Sequence, residues 1–216
     1  DPNNQDIGTC WAQASIGAIE TWLARKGVQC EFSVRNVVNG CGYETGYSLD
    51  DWKLTPWKGL NHLASTSYFV RWAGPGLESE DPYCDKVGRV RLSYDSPTLV
   101  PQYHIQQSRI IPARTSVYDN EGLKRAIMEF GGFYATMRLY VPMSSNFGLP
   151  WYSKVNGAYY CKYDTFPAPT GHAVTLVGWD DTFSKDNFNP YMKPEGDGAF
   201  IVKDSYGNDN YRDDGY

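Results

Sequence analysis

Cys10 and His172 are the two residues whose types and settings allow covalent chemistry. Cys10 lies in Gln5-Asp6-Ile7-Gly8-Thr9-Cys10-Trp11 and opens a run with apolar residues Ala12, Ile16, Ile19 and Leu23. Steps of four, three and four place these on one face of an amphipathic helix. Gly8 and Thr9 supply a turn and an N-cap, so Cys10 sits at the helix start. Unpaired N–H groups and the helix dipole favour an anion there, which lowers a thiol's pKa and makes it a nucleophile. The chain has three histidines, His62, His104 and His172. His62 falls in a helical pattern, Leu60 to Trp72, where it is expected to face solvent or pack, and His104 lies between Tyr103 and Ile105 with no nucleophile nearby in sequence. His172 follows Gly171 and leads into Ala173-Val174-Thr175-Leu176-Val177-Gly178-Trp179, a strand-like run. Its imidazole is the best-placed general base, able to take the thiol proton and return it to a leaving amine. A third group must orient that ring. Asp204, at the end of the strand Ala199–Lys203, is the candidate acceptor.

The elements that position these groups fall into two sets. Helices are expected over Cys10–Lys26, from Ser33, and over Gly59–Trp72. Pro75, Pro82, Pro97, Pro101 and Pro112 break the stretch from 74 to 118. A further helix spans Glu121–Phe130, with Leu123, Ala126, Ile127 and Phe130 on one face and Gly131 as its stop. Strands follow at Phe133–Leu139, Ala173–Trp179 and Ala199–Lys203. Helices first and strands later indicate an α+β protein of two lobes. The helical lobe would span about 5–100 and the strand-rich lobe about 101–216, with Cys10 facing His172 and Asp204 across the cleft.

At this point a resemblance is specific. The chain resembles the papain-like cysteine peptidases, whose pattern is a Gln, Gly-Ser-Cys-Trp, a His-Ala-Val strand and Asn-Ser-Trp-Gly. Here the blocks read Gln5, Gly8-Thr9-Cys10-Trp11, His172-Ala173-Val174 and Asp204-Ser205-Tyr206-Gly207, in the same order. The separation of Cys10 from His172 is somewhat longer than the roughly 130–150 residues usual for this group, which implies insertions. Glu31-Phe32-Ser33 is similar to a helix start of the family, and Tyr68–Pro75 with Glu78–Tyr83 looks most like its secreted microbial members.

The resemblance implies a papain-like two-lobed fold, with a helical N-terminal lobe, a sheet or barrel-like C-terminal lobe and the active site between them. The whole of 1–216 would be one catalytic domain lacking the family's N-terminal lead-in and last strand. It also implies an endopeptidase in which Cys10 is the nucleophile, His172 the acid–base, Asp204 the orienting group and Gln5 an oxyanion donor. Gly59, Leu60, Ala173 and Thr136 stand at substrate-binding positions. Ala173 and Thr136 are modest in size, so a pocket beside them would take an apolar side chain. Three departures are visible: Asp204 replaces Asn, Tyr206 replaces Trp, and Leu60 follows Gly59 where the family has paired glycines. An aspartate also accepts the histidine's hydrogen bond and raises its pKa further.

Composition bounds the alternatives. The 216 residues carry a net charge of −5 and a pI near 5.2, without a basic footprint for nucleic acid. No apolar run approaches membrane-spanning length. The expected partners are a peptide or protein substrate and a pro-segment or flanking domains, in an extracellular or cell-surface setting. No cofactor is implied, and without a Cys-X-X-Cys pair no metal site is expected. Asp180-Asp181 and Asp213-Asp214 lack the spacing of a calcium loop. With Cys10 as nucleophile, Cys30, Cys41, Cys84 and Cys161 remain, and sequence allows three pairings. The resemblance implies Cys41 with Cys84. Two other readings stand beside the peptidase. One is another Cys-His-Asp enzyme that transfers amides, in which Gln5 has no role. The other is a catalytically impaired papain-like binding domain, suggested by Asp204 and Leu60.

Overall fold

A computed structural model describes residues 8–41, 59–88, 90–91, 96–139, 151–162 and 170–205. Among the described residues the α-helices are α1 (Cys10–Ala24), α2 (Val34–Gly40), α3 (His62–Val70) and α4 (Glu121–Phe130). The strands are β1 (Phe133–Leu139), β2 (Tyr152–Ser153), β3 (Ala158–Tyr159), β4 (Thr170–Asp180) and β5 (Ala199–Lys203). Among the described residues β1, β4 and β5 form an antiparallel sheet with β4 central, and β2 pairs with β3.

The first two turns of α1 are buried nearly all round. Trp11, Ala12, Ala14, Ser15, Ile16 and Gly17 are all enclosed. The sequence pattern marks a single apolar face, but small residues give α1 a second one. Trp11, Ala12 and Ile16 join Phe32, Val37, Val38, Tyr68 and Phe69 in the helical core. Ala14 and Gly17 face β4 instead. The Thr175 hydroxyl donates to the Ala14 carbonyl at 3.1 Å, and a Cβ on Gly17 would lie 2.3 Å from Thr175 Oγ1. Only glycine permits that approach, so the spacing of helix and sheet is set there.

The helical part carries a buried polar lock. Ser33 caps α2 by accepting from the Asn36 N–H at 2.8 Å. Arg35, fully buried, pairs with the fully buried Asp81, whose other oxygen accepts from Ser96 at 2.5 Å. Asn36 Oδ1 accepts from the Tyr68 hydroxyl at 2.7 Å and from the Gly76 N–H at 3.1 Å. Tyr103 packs edge-on against Phe32 with ring centres 5.4 Å apart, so the chain at 103 still borders the helical core.

Several sequence expectations change. α1 ends at Ala24 rather than Lys26: Lys26 N–H reaches back to Leu23 in a tightened turn, and Gly27 adopts φ 77°. Thr9 stands at the N-cap, yet its hydroxyl makes no cap bond; it meets the Tyr83 hydroxyl at 2.8 Å. α3 starts at His62, because the Asn61 side chain accepts from Leu63 N–H and fixes the boundary. β4 is longer than Ala173–Trp179, since β1 pairs with it back to Thr170 and β5 forward to Asp180. The Cys41–Cys84 disulfide is not formed; none of the five cysteines is in a disulfide. The Cys41 thiol is turned to the Ala64 carbonyl on α3 at 3.7 Å, and burial pushes it up to about 12. Cys84 sits instead in a strand-like bridge opposite Val90.

Candidate active site

Cys10 is the first residue of α1, and the buried Trp11 beside it anchors the helix start in the core. His172 lies on β4 opposite Met137 of β1 and is 6% exposed. Asp204 follows the last residue of β5, which pairs antiparallel with β4. The α1–β4 contact through Gly17 and Thr175 therefore carries Cys10 to His172, and the β4–β5 ladder carries Asp204 to the same ring. Lys203 of β5 also reaches back to Glu20 of α1 at 3.3 Å, a second tie between the same elements.

His172 Nε2 lies 2.7 Å from Asp204 Oδ1, and the Ser205 N–H donates to that same oxygen at 2.6 Å. Two contacts on one oxygen fix the carboxylate's direction although its side chain is 31% exposed. The Cys10 thiol neighbours the same ring, and each shifts the other's titration. With Nε2 committed to Asp204, Nδ1 is the nitrogen available to sulfur.

The electrostatics follow from these contacts. Burial alone would raise the Cys10 thiol. It is outweighed by the hydrogen bond with His172, backbone N–H groups of Ala173 and Trp11, and the imidazolium charge, so the thiol titrates below its ordinary value. For His172, burial favours the neutral ring. The hydrogen bonds and charges of Asp204 and Cys10 overcome it and raise the imidazole to about 9. A lowered thiol beside a raised imidazole favours a thiolate–imidazolium pair.

The other sequence candidates are distributed around this centre. Gln5 and Tyr206 lie outside the described residues, as does Asp213-Asp214. Gly59 adopts φ 129° with open space where a side chain would stand, and Leu60 packs against the helical core. Ala173 is buried and contributes its N–H to the thiol. Thr136 is exposed and pairs with Ala173 across the sheet. A cavity of about 290 Å³ lies on the Asp204 side, with Gln13, Glu20, Glu78, Tyr83, Ala173 and Asp204 among its walls. Neither Cys10 nor His172 lines it. His62 sits at the exposed start of α3, and His104 stacks on Trp72 with ring centres 4.1 Å apart. Asp180 binds Thr182, while Asp181 pairs with Lys124 at 2.7 Å. The backbone donors of Trp11 and Ala173 and the Gly17–Thr175 contact were not among the sequence candidates. Their only trace is the small-residue stripe on α1, visible once a second helix face is sought.

Comparison with known proteins identifies the family and the fold. A model of the papain family cysteine proteases matches residues 2–216. Among solved structures, the clostridial cysteine protease Cwp84 after propeptide cleavage is 28% identical with a TM-score of 0.69, covering 94% of this chain and 46% of that one. The cysteine protease and lectin-like domains of Cwp84, a surface layer associated protein of Clostridium difficile, are 28% identical with a TM-score of 0.64 over 96% of this chain and 42% of that one. The chain thus spans less than half the length of either. The bromelain protease of Ananas comosus, in complex with the E64 inhibitor, shares the fold at 19% identity and a TM-score of 0.56, covering 99% of this chain and 80% of that one. No curated protein matches. With its family model spanning nearly every residue and its fold shared with these enzymes, the chain belongs to the papain family of cysteine proteases.

Proposed function

We propose that the chain is a peptidase that cleaves peptide bonds through a thioester on Cys10. The observation that carries this reading is the His172–Asp204 contact at 2.7 Å, with the Cys10 thiol lowered and the imidazole raised by each other's presence. In the first step the thiolate attacks the scissile carbonyl carbon and the carbonyl oxygen becomes an oxyanion. The N–H of Cys10, an orphan donor at the start of α1, and the Gln5 side chain supply donors for that charge. The intermediate collapses as the C–N bond breaks, and the imidazolium gives its proton to the departing amine. Neutral His172 then takes a proton from water, and the resulting hydroxide attacks the thioester. Loss of the thiolate releases the carboxylic acid and restores the ion pair. Asp204 keeps the ring oriented and stabilises its charged form throughout.

Gly59 and Leu60 on one wall and Thr136 and Ala173 on the other are the substrate-contact residues in this reading. A cell-surface or extracellular setting is part of the proposal, supported by the likeness to a surface layer associated protein. So is a pro-segment: the matched folds include a procathepsin L of Tenebrio molitor and a stem bromelain precursor. The test is hydrolysis of a fluorogenic peptide library by the wild type, Cys10→Ala and Gln5→Ala. Cys10→Ala should abolish turnover. Gln5→Ala should lower it by roughly 10²-fold while Cys10 still alkylates. A wild type that alkylates but cleaves no peptide would favour the binding-domain reading, and peptide turnover that survives in Cys10→Ala would remove the mechanism.

A further inference from the structure

We infer that Tyr83 is a positioning residue for the oxyanion step: through Thr9 it fixes the direction of the Cys10 N–H. The inference rests on the peptidase reading, in which that N–H meets the developing charge, and concerns two residues that reading does not use. A peptide unit is planar and trans, so its N–H points opposite to its C=O. The unit between Thr9 and Cys10 has its carbonyl turned into α1, where it accepts from Ala12 N–H at 2.9 Å and from Gln13 N–H at 3.1 Å. The N–H of the same unit is therefore aimed out of the helix start. Those two bonds hold the unit from the helix side. The Thr9 side chain holds it from the other: it makes no cap bond to α1, and its hydroxyl lies 2.8 Å from the Tyr83 hydroxyl.

Tyr83 is itself a fixed anchor. Its N–H donates to Glu78 Oε1 at 2.8 Å, and its carbonyl accepts from Arg91 N–H at 2.9 Å. Its ring packs against the helical core. Glu78 is tied in turn, its N–H donating to the Glu31 carbonyl at 2.9 Å. A threonine at an N-cap ordinarily turns its oxygen onto the N–H of the second or third helical residue. Here the oxygen is directed to Tyr83, so the residue before the nucleophile is bound to the 78–91 segment as well as to its own helix. Thr9 is 4% exposed, which keeps solvent from competing for its hydroxyl. Burial pushes the Tyr83 phenol up, so it stays neutral and adds no anion near Cys10.

The chemistry allows the role to be separated from thiol activation. Acyl transfer builds charge on the carbonyl oxygen and uses the Cys10 N–H. Alkylation by iodoacetamide is a direct displacement of iodide at carbon and uses only the thiolate. Tyr83→Phe keeps the ring and removes the hydroxyl. Thr9→Val keeps the shape, removes the hydroxyl and takes no cap bond from α1. Thr9→Ser keeps the hydroxyl. For an active wild type, Tyr83→Phe and Thr9→Val should each lower kcat for peptides by about three- to tenfold, the worth of one hydrogen bond, with KM within about twofold. The double variant should be no worse than either single one, and Thr9→Ser should match the wild type. The rate of Cys10 alkylation and its pH profile should not move in any of them. Unchanged kcat in Tyr83→Phe and Thr9→Val, additive effects in the double variant, or a Thr9→Ser as impaired as Thr9→Val would overturn the proposal. So would an equal loss of alkylation, which would place the contact's effect on the thiol or on the fold. If Tyr83→Phe does not fold, Thr9→Val against Thr9→Ser decides by the same criteria. A wild type without turnover brings down the peptidase reading and this inference together; unchanged variants of an active enzyme bring down this inference alone.

Discussion

Two acid–base pairs divide the molecule between them. Arg35–Asp81 lies in the helical part with both side chains fully buried. His172–Asp204 lies at the cleft, its base almost enclosed and its acid 31% exposed. Arginine keeps its proton at any pH a protein meets, so the first pair is a fixed lock. Histidine exchanges its proton near neutrality, so the second can work as a reagent. Enclosure differs to match: Asp81 is held by Arg35, Ser96 and Arg91, whereas Asp204 keeps one edge toward solvent. One pair fixes the shape of the helical lobe, and in the proposed mechanism the other gives the site its pH dependence.

The largest expected effect falls on the lock. Asp81→Ala leaves Arg35 charged and buried without its partner, and should cost about 3–5 kcal/mol of stability. Urea unfolding followed by fluorescence measures it; a loss below about 1 kcal/mol would mean that water or Ser96 replaces the carboxylate.

At the site, Asp204→Ala should lower kcat by about 10²-fold with little loss of fold, because the ring loses its orienting acceptor. Asp204→Asn keeps an acceptor and should lose less. The pH dependence has a definite sign. The thiolate is lost as pH falls through the lowered Cys10 value, and the imidazolium is lost as pH rises through about 9. The profile of kcat/KM should be a bell with its alkaline limb near 9. Asp204→Asn should move that limb downward, since a negative neighbour is removed. Because the His172 pKa is raised on folding, its contribution to stability is fully present below the unfolded value of 6.5 and fades as pH climbs through about 9. An alkaline limb that stays in place in Asp204→Asn would assign it to another group.

The smallest effect belongs to a pair of intermediate kind. Lys203 and Glu20 meet at 3.3 Å between β5 and α1, with Lys203 45% exposed. Lys203→Met should change stability by no more than about 1 kcal/mol. A larger loss in thermal unfolding would mean that this contact, and not only Gly17 against Thr175, holds α1 to the sheet.

Much of this was legible in the residues. α4, β1 and β5 lie where the pattern sets them, because Gly131 stops the helix and β-branched or aromatic runs mark the strands. Cys10, His172 and Asp204 stood out because each lies at or within a few residues of an element's end, where a side chain can leave the core and meet another. What stayed hidden depends on contacts between distant elements. Ala14 and Gly17 look like filler in a helix until Thr175 is placed against them. Thr9 has the type of a cap but spends its hydroxyl on Tyr83. Cys41 shows the opposite error, in which the family resemblance implied a bridge to Cys84 that the turn of the thiol toward α3 does not make.

The central claim is that His172 sets the reactivity of Cys10. Alkylation of Cys10 by iodoacetamide across pH, in the wild type and in His172→Ala, tests it most directly. Reactivity in the wild type should persist well into mildly acid solution. In His172→Ala it should retreat toward the roughly 8.5 of an ordinary thiol, leaving only the helix start and the Ala173 N–H to favour the thiolate. Two superimposable curves, both rising only near pH 8.5, would contradict the account.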